Sequence, residues 1–161
     1  MSFLVPGPVT VAWTRNGGSL KQVGALKDGV RITIRTSWTP ISDDMHGGSP
    51  ATYIFSGKGA TVELIGLDSA SLGKLHWIGG LLNYDATNFA EIGQTIYNDI
   101  GGTLTITETR STKTWVADKA ALIDPTIISL LSTQEVMAPF AFFIVPNSAG
   151  KLFSTIPDYL T

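Results

Sequence analysis

Hydrophobic and polar residues alternate strictly over several short stretches of this chain. In the clearest stretch, Val30, Ile32 and Ile34 alternate with Arg31, Thr33 and Arg35. Because successive side chains of a strand point to opposite faces, this pattern predicts a strand with one buried face and one polar face. Residues 60–64 and 103–109 alternate in the same way and predict two more strands.

We expect strands 30–35 and 60–64 to pair. Val62 and Leu64 would then join the buried face of the first strand, and Thr61 and Glu63 would join its polar face. Glu63 would lie near the arginines of the first strand and offset their charge.

Shorter strands are predicted where β-branched and aromatic residues lie between turn signals. They cover residues 9–13, 20–26, 52–55, 114–117 and 136–145. An Asn-Gly pair at residues 16–17 predicts a hairpin turn between the first two, and Asp28-Gly29 predicts a second tight turn. Pro139 has no amide proton, so the last strand should begin at a sheet edge or a bulge. The chain is therefore expected to have a mainly β fold of the α+β class, with one short helix added to the strands.

That helix is predicted over residues 70–78, where Asp68-Ser69 can cap its first turn. Residues 79–100 show no clean period, and the last ten residues are predicted to form an arm. No linker, repeat or low-complexity tract divides the sequence. We therefore expect residues 1–161 to form one domain with a short N-terminal segment and a C-terminal arm.

The segment from Trp38 to Ala51 combines two prolines, two adjacent acids and a glycine pair, which predicts a long loop between two strands. The loop also carries Trp38, Ile41 and Met45. Burying such a side chain is worth about 1.5–3 kcal/mol, so these residues should pack against a partner. We expect the loop to project from the core.

Composition adds a reason to expect self-association. The chain is 43% hydrophobic and only 15% charged, well below the roughly 25% of charged residues usual in soluble domains. This composition argues against intrinsic disorder and suggests that other subunits cover part of the apolar surface.

Charge is also uneven along the chain. Residues 1–35 carry five basic residues and one acidic residue, a net charge of +4, which leaves −6 for the remainder of a chain whose net charge is −2. A self-assembling subunit can set such a basic edge against an acidic edge of its neighbour.

Candidate catalytic and binding motifs are few. The absence of cysteine excludes disulfides, cysteine-based zinc sites and thiol nucleophiles. His46 lies beside Asp43 and Asp44, but the spacings of known metal sites are absent, so we interpret these residues as a solvated polar loop. No phosphate-binding loop or nucleophile elbow is present. We expect no enzymatic activity, cofactor, bound metal, membrane span or signal peptide.

Four sequence features follow one another in a recognisable order. They are a Gly-rich N-terminal hairpin, then Leu26-Lys27-Asp28-Gly29-Val30-Arg31-Ile32, then Ile41-Ser42-Asp43-Asp44-Met45-His46-Gly47-Gly48, and then Thr61-Val62-Glu63-Leu64 leading into a short helix. This order resembles the tail tube (major tail) proteins of long-tailed bacteriophages. The resemblance covers most of the chain and is strongest over residues 7–76.

The resemblance implies a β-sandwich-like or barrel-like core with one short flanking helix and a long inter-strand loop. Six copies would form a ring, and rings would stack into a hollow tail tube through which DNA leaves the virion. The protein would be made in the cytoplasm of the bacterial host and would act in the virion tail, beside other tail proteins and without a membrane.

The resemblance also implies roles for particular residues. The lumen-facing candidates are Arg31, Thr33, Arg35, Thr61 and Glu63. The candidates for contact with the adjacent ring are Trp38, Ile41, Asp43, Asp44 and Met45. Arginines in the lumen would attract passing DNA, so we expect Glu63 or an acid of a neighbouring subunit to offset them.

Two other hypotheses stay open. Another β-rich virion component, such as a baseplate, tail-completion or capsid-decoration protein, would share this composition and fold. A non-viral binding module or enzyme would be expected as a monomer in solution. Electron micrographs of the purified protein would distinguish the three hypotheses.

Overall fold

One antiparallel sheet contains all the strands of the computed structural model, which describes residues 2–5, 7–15, 21–23, 26–66, 93, 95–124 and 138–160. The strands are β1 (Ser2–Val5), β2 (Val9–Arg15), β3 (Lys21–Val23), β4 (Leu26–Ser42), β5 (Pro50–Gly66), β6 (Gly102–Glu108), β7 (Thr114–Asp124) and β8 (Ala138–Ile144). Their order across the sheet is β1-β4-β5-β8-β7-β6-β2-β3.

Helical segments in the described residues are short. Two 3₁₀-helices span Asp44–His46 and Asp158–Leu160, and a π-helical turn spans Ile96–Ile100. The predicted helix over residues 70–78 and the ambiguous residues 79–92 lie outside the described residues. The expected mainly-β fold is confirmed.

Strands β4 and β5 pair as the alternation predicts. Ile32 lies opposite Val62, and Arg31 lies opposite Glu63. The buried hydrophobic residues described in the two strands are Val30, Ile32, Ala60, Val62 and Leu64, with Ile34 packed at the margin of the core. The side chains of Arg31 and Glu63 are exposed on the other face. The prediction of one buried and one polar face is confirmed.

The sheet curls so that its two halves enclose the core. Trp13 on β2 and Phe142 on β8 have ring centroids 6.1 Å apart, although β6 and β7 lie between their strands. The Trp13 indole also donates a hydrogen bond of 2.9 Å to the carbonyl oxygen of Ala120 on β7. In a flat sheet, strands three places apart are about 14 Å apart, so these contacts require a strong curl.

Asp28-Gly29, predicted as a tight turn, is instead a bulge within β4. The register shifts between Lys27 and Val30, and Gly29 has a φ of +73°. A Cβ at Gly29 would lie 2.2 Å from the carbonyl oxygen of Val5. Glycine therefore allows β1 to approach β4 closely at this point.

The prediction of a loop between Trp38 and Ala51 was wrong for half of that segment, residues 38–42 and 50–51. β4 and β5 extend through it, and only residues 43–49 lie outside the strands. In this part of the described chain the two strands pair only with each other. Pro40 is tolerated because each strand of a two-stranded ribbon has a free edge, and the β-branched and aromatic residues favour an extended backbone.

β8 lies inside the sheet, between β5 and β7. Pro139 pairs with Ile65 of β5, and β8 pairs with β7 as far as Ala141 and Asp124, the last described residue of β7. The residues that follow Asp124 lie outside the described part of the chain, so the edge position of Pro139 stays a prediction.

Residues 145–160 run along β7 of the same subunit, although an arm was predicted for the end of the chain. The amide of Val116 donates a hydrogen bond of 2.9 Å to the carbonyl oxygen of Thr155. The rings of Trp115 and Phe153 meet edge to face, with centroids 5.3 Å apart. β8 pairs only with the second half of β7, so the C-terminal segment covers the part of β7 that β8 leaves open.

Charged and aromatic side chains hold the end of the chain against the β6–β7 turn. We call this cluster, which consists of Glu108, Ser111, Lys113, Asp158 and Tyr159, the C-terminal clasp. Glu108 accepts hydrogen bonds from the hydroxyls of Tyr159 and Ser111, and these bonds hold the pKa of Glu108 below its usual value. Lys113 forms a hydrogen-bonded ion pair with Asp158, which lowers the pKa of Asp158. Burial and the bond to Glu108 raise the pKa of Tyr159.

Replacing Phe142 by alanine should cost about 3–5 kcal/mol of unfolding free energy, because its ring is fully buried. The next residue, Phe143, is 42% exposed, and Phe143→Ala should cost less than about 1 kcal/mol. Urea denaturation of the two variants measures the difference. Equal losses would show that β8 does not separate a core face from an outer face.

The clasp should weaken as the pH falls. Because the folded-state pKa of Glu108 is lowered, the stability from its carboxylate is complete above the pKa of the unfolded chain and is lost as the pH falls through the folded value. At neutral pH, Glu108→Gln should be less stable than the wild type by at most about 1 kcal/mol, since the site is largely exposed. The two proteins should converge in stability as the pH falls below the pKa of the folded-state carboxylate.

Urea midpoints measured at successive pH values test this expectation. Tyr159→Phe is the companion variant, because it removes the hydroxyl donor and should reproduce the loss at neutral pH. A difference between wild type and Glu108→Gln that stays constant down to the lowest pH would contradict the role of the carboxylate.

Candidate functional site

The paired strands β4 and β5 extend beyond the rest of the sheet as a two-stranded hairpin, residues 35–59, which we call the arm. Its side chains are exposed from residue 35 to 45 and from residue 47 to 56. In the part of the chain that the structure describes, no third strand pairs with the arm. The segment thus projects from the core, as expected.

One face of the arm is aromatic. Trp38 lies directly opposite Phe55, and their rings meet edge to face with centroids 5.2 Å apart. Pro40 and Tyr53 form the next pair on the same face. Trp38 is 57% exposed, and Phe55 and Tyr53 are exposed as well. A cross-strand aromatic pair stabilises a hairpin, but this one leaves much of its apolar surface in water.

The other face of the arm also carries large apolar side chains. Ile54 lies opposite Thr39, and Ile41 lies opposite Thr52. Both isoleucines are exposed. A hairpin that is apolar on one face can pack onto a single surface, whereas this arm has apolar groups to cover on both sides. Its chemistry suits a segment inserted between other protein surfaces.

A β-bulge sets which residues share the aromatic face. The register shifts between Ser37 and Trp38, which leaves Ser56 as an extra residue and sets Trp38 opposite Phe55. Without this shift, Phe55 and Trp38 would lie on different faces of the arm. Because Trp38 lies on the same side of β4 as the core residue Ile32, the apolar face of the sheet continues outwards along the arm.

The tip of the arm is a short acidic turn. Asp43 accepts a hydrogen bond of 3.1 Å from the amide of Met45. Gly47 has a φ of +62°, a conformation that favours glycine. Met45 is 91% exposed, and the side chains of Asp43 and Asp44 are exposed too. The tip therefore presents negative charge beside one flexible apolar side chain.

All five residues singled out as ring contacts lie together on the arm. They are Trp38, Ile41, Asp43, Asp44 and Met45. The sequence pattern missed the contribution of Tyr53, Ile54 and Phe55, which it assigned to an ordinary strand. Their signal was present, since three consecutive large apolar residues on a strand leave neither face polar.

The second set of candidates lies on the polar face next to the arm. Arg31, Thr33, Arg35, Thr61 and Glu63 share one side of β4 and β5. Arg31 lies directly opposite Glu63, as a cross-strand pair of opposite charge. Arg35 lies opposite Gly59, so its cross-strand position has no side chain. Arg31 therefore has an acid at its cross-strand position, and Arg35 has none there.

Among the residues described, no group of three histidine, aspartate or glutamate side chains is placed to hold a metal ion. That part of the chain also contains no helix that is long and apolar enough to cross a membrane. The arm and the polar face offer aromatic rings, aliphatic side chains, hydroxyls and a few charges, which are the groups of a contact surface.

Comparisons with known proteins show similarity of structure at low sequence identity. No protein-family model matches the chain, and a search of curated proteins finds no match. Among solved structures, the chain is similar to one in the tail of an empty GTA particle, computed with helical refinement and C6 symmetry. That similarity has a TM-score of 0.51 and 10% identity, over 84% of this chain and 89% of that chain.

A second similar chain belongs to the baseplate of the anti-feeding prophage (AFP), a six-fold symmetrised structure. It has a TM-score of 0.47 and 12% identity, over 86% of this chain and 89% of that chain. The similarity to the GTA tail chain shows that those two chains share a fold.

Proposed function

We propose that this protein is a structural subunit of a bacteriophage tail, in which six copies form a ring and stacked rings form a hollow tube for DNA passage. The shared fold supports the proposal, because the similar chain comes from a tail computed with C6 symmetry. The protein works beside other tail proteins in the virion, after synthesis in the host cytoplasm. It acts through contacts between subunits and needs no catalysis or cofactor.

The observation that carries the proposal is the arm, which exposes large apolar side chains on both faces. They are Trp38, Ile41, Met45, Tyr53, Ile54 and Phe55. Fully burying one side chain of this kind is worth about 1.5–3 kcal/mol. In a stack of rings each arm lies between subunits, so that both of its faces leave water. The arm is thus the proposed contact between adjacent rings.

The edges of the sheet also favour self-assembly. β1 and β3 end the strand order of the described residues, and each pairs on one side only. An open edge is a hazard for a monomer because it offers unpaired backbone groups to other chains. Edge pairing between neighbours in a ring would join the sheets of six copies into one barrel.

The polar face is the proposed wall of the channel. Unbalanced arginines on such a wall would hold DNA, because each contact with a phosphate releases counterions. Glu63 lies opposite Arg31 and offsets it by up to about 1 kcal/mol if the pair is solvated. Thr33 and Thr61 pair in register and add uncharged hydroxyls. An acidic side chain of a neighbouring subunit is proposed to offset the charge of Arg35.

Negative-stain electron microscopy of the purified protein tests the proposal. We expect hollow tubes built from six-fold rings. Discrete rings that never stack would favour a baseplate, tail-completion or capsid-decoration protein instead. A monodisperse monomer would contradict self-assembly and favour a binding module or an enzyme.

Replacing both Ile41 and Met45 by serine should abolish tube elongation and leave the subunit folded, because both side chains are exposed on the arm. Deleting residues 41–48 should have the same effect. Electron microscopy measures elongation, and circular dichroism measures folding.

The matched control is Ile156→Ser. Ile156 is 38% exposed and Ile41 is 39% exposed, but Ile156 lies in the C-terminal segment. Its tubes should match those of the wild type. Long tubes from the deletion variant would show that the arm is not the stacking element, and an unfolded deletion variant would show that the arm belongs to the core.

Salt should weaken assembly, because the basic residues 1–35 and the acidic remainder are proposed to meet between subunits. The Debye length falls from about 10 Å at 0.1 M to about 3 Å at 1 M salt, which screens exposed charges. Light scattering of the assembling protein at rising NaCl concentrations measures the effect. Assembly that strengthens steadily with salt would show that apolar contacts dominate and that the uneven charge is irrelevant.

A further inference from the structure

Charge is separated along the arm. Arg35 and Lys58 lie at its base, and Asp43 and Asp44 lie at its tip. Residues 36–42 and 47–57 between them contain no charged side chain. At about 3.3 Å per strand residue, the base and the tip are about 23 Å apart. All four charged side chains are exposed.

The same order of chemistry is repeated on both faces of the arm. Lys58 pairs with Thr36, on the face of Trp38 and Phe55, whereas Arg35 lies on the face of Ile41. Each face therefore has a cation at the base, apolar side chains in the middle and the acidic tip beyond them. The tip cannot reach its own base without breaking the β4–β5 ladder. A contact between the tip charges and the base charges of two arms therefore joins two molecules.

We propose that the acidic tip of one arm docks against the edge of the arm's base in the next copy of this chain, where Asp43 and Asp44 meet Arg35 from one face of the arm and Lys58 from the other. This contact rests on the proposed self-assembly and specifies where one copy meets the next. The tip and the base are different surfaces, so the contact is heterologous and repeats from copy to copy instead of closing in a dimer.

Charge complementarity is the argument for a second copy as the occupant. The two acids at the tip equal the two cations at the base in number and are opposite to them in sign. Arg35 has Gly59 across from it, so its own hairpin places no acid at that position. Exposed apolar residues flank both ends of the contact, and their burial in the assembly would exclude water and strengthen the attraction between the charges.

Charge reversal in two variants tests the contact. The tip variant is Asp43→Asn with Asp44→Lys, in which the asparagine keeps the oxygen that accepts the Met45 amide. The base variant is Arg35→Glu with Lys58→Glu. Each variant alone would set like charges against each other, and its critical concentration for assembly should rise by at least about tenfold. An equimolar mixture should restore assembly, because each tip then meets a base of opposite charge.

The matched control is Arg110→Glu with Lys151→Glu, which changes the net charge by the same amount as the base variant. Both residues are exposed and lie outside the arm, so this control should assemble like the wild type. Circular dichroism of all the variants checks that each one is folded.

Recovery in the mixture alone, with both single populations failing to assemble, would support the contact. If the wild type forms tubes and the base variant forms them at the same critical concentration, the contact is overturned and the proposed function still stands. A mixture that fails to assemble would overturn the contact as well. A wild type that stays monomeric would overturn the contact and the proposed function together.

Discussion

The pairing of β4 with β5 is the interaction on which both the core and the arm depend. Each strand is 17 residues long, and one antiparallel ladder runs from Leu26 and Gly66 at the inner end to Ser42 and Pro50 at the outer end. Among the described residues, the inner half of this ladder packs five buried hydrophobic side chains into the core. The outer half holds a large apolar surface away from that core.

This continuity explains how the arm keeps a defined shape. A two-stranded hairpin alone is marginally stable in water. Here the inner end of the hairpin is held in place by the other strands of the sheet. Packing in the core therefore offsets part of the conformational entropy that is lost when the hairpin becomes ordered. The aromatic pair of Trp38 and Phe55 orders the middle of the arm. A surface that is ordered before binding loses less conformational entropy when it binds.

Charged groups serve two different purposes in this weakly charged chain. In the C-terminal clasp, Glu108, Lys113 and Asp158 find hydrogen-bonding partners within the subunit and hold the end of the chain against the sheet. On the arm, the charges lie at opposite ends of an uncharged ribbon, where the ladder keeps them apart. The first arrangement stabilises the fold, and the second separates opposite charges along the surface that is proposed to contact other copies.

The alternation of residues 30–35 and 60–64 by itself determined which side chains face the core, because a period of two is a local property of a strand. The sequence also marked Trp38, Ile41 and Met45 as apolar residues in need of a partner. Only the tertiary structure decided that these residues lie on a hairpin. Proline disrupts a strand that has neighbouring strands on both sides, but it is tolerated in a strand with a free edge. The sequence around Pro40 does not reveal how many strands will lie beside it.

The curl of the sheet and the docking of residues 145–160 on β7 were also decided by the tertiary structure. The hydrogen bond from Trp13 to Ala120 joins residues 107 positions apart. Periodicity states which face of a strand is apolar, but it does not state which distant strand will cover that face.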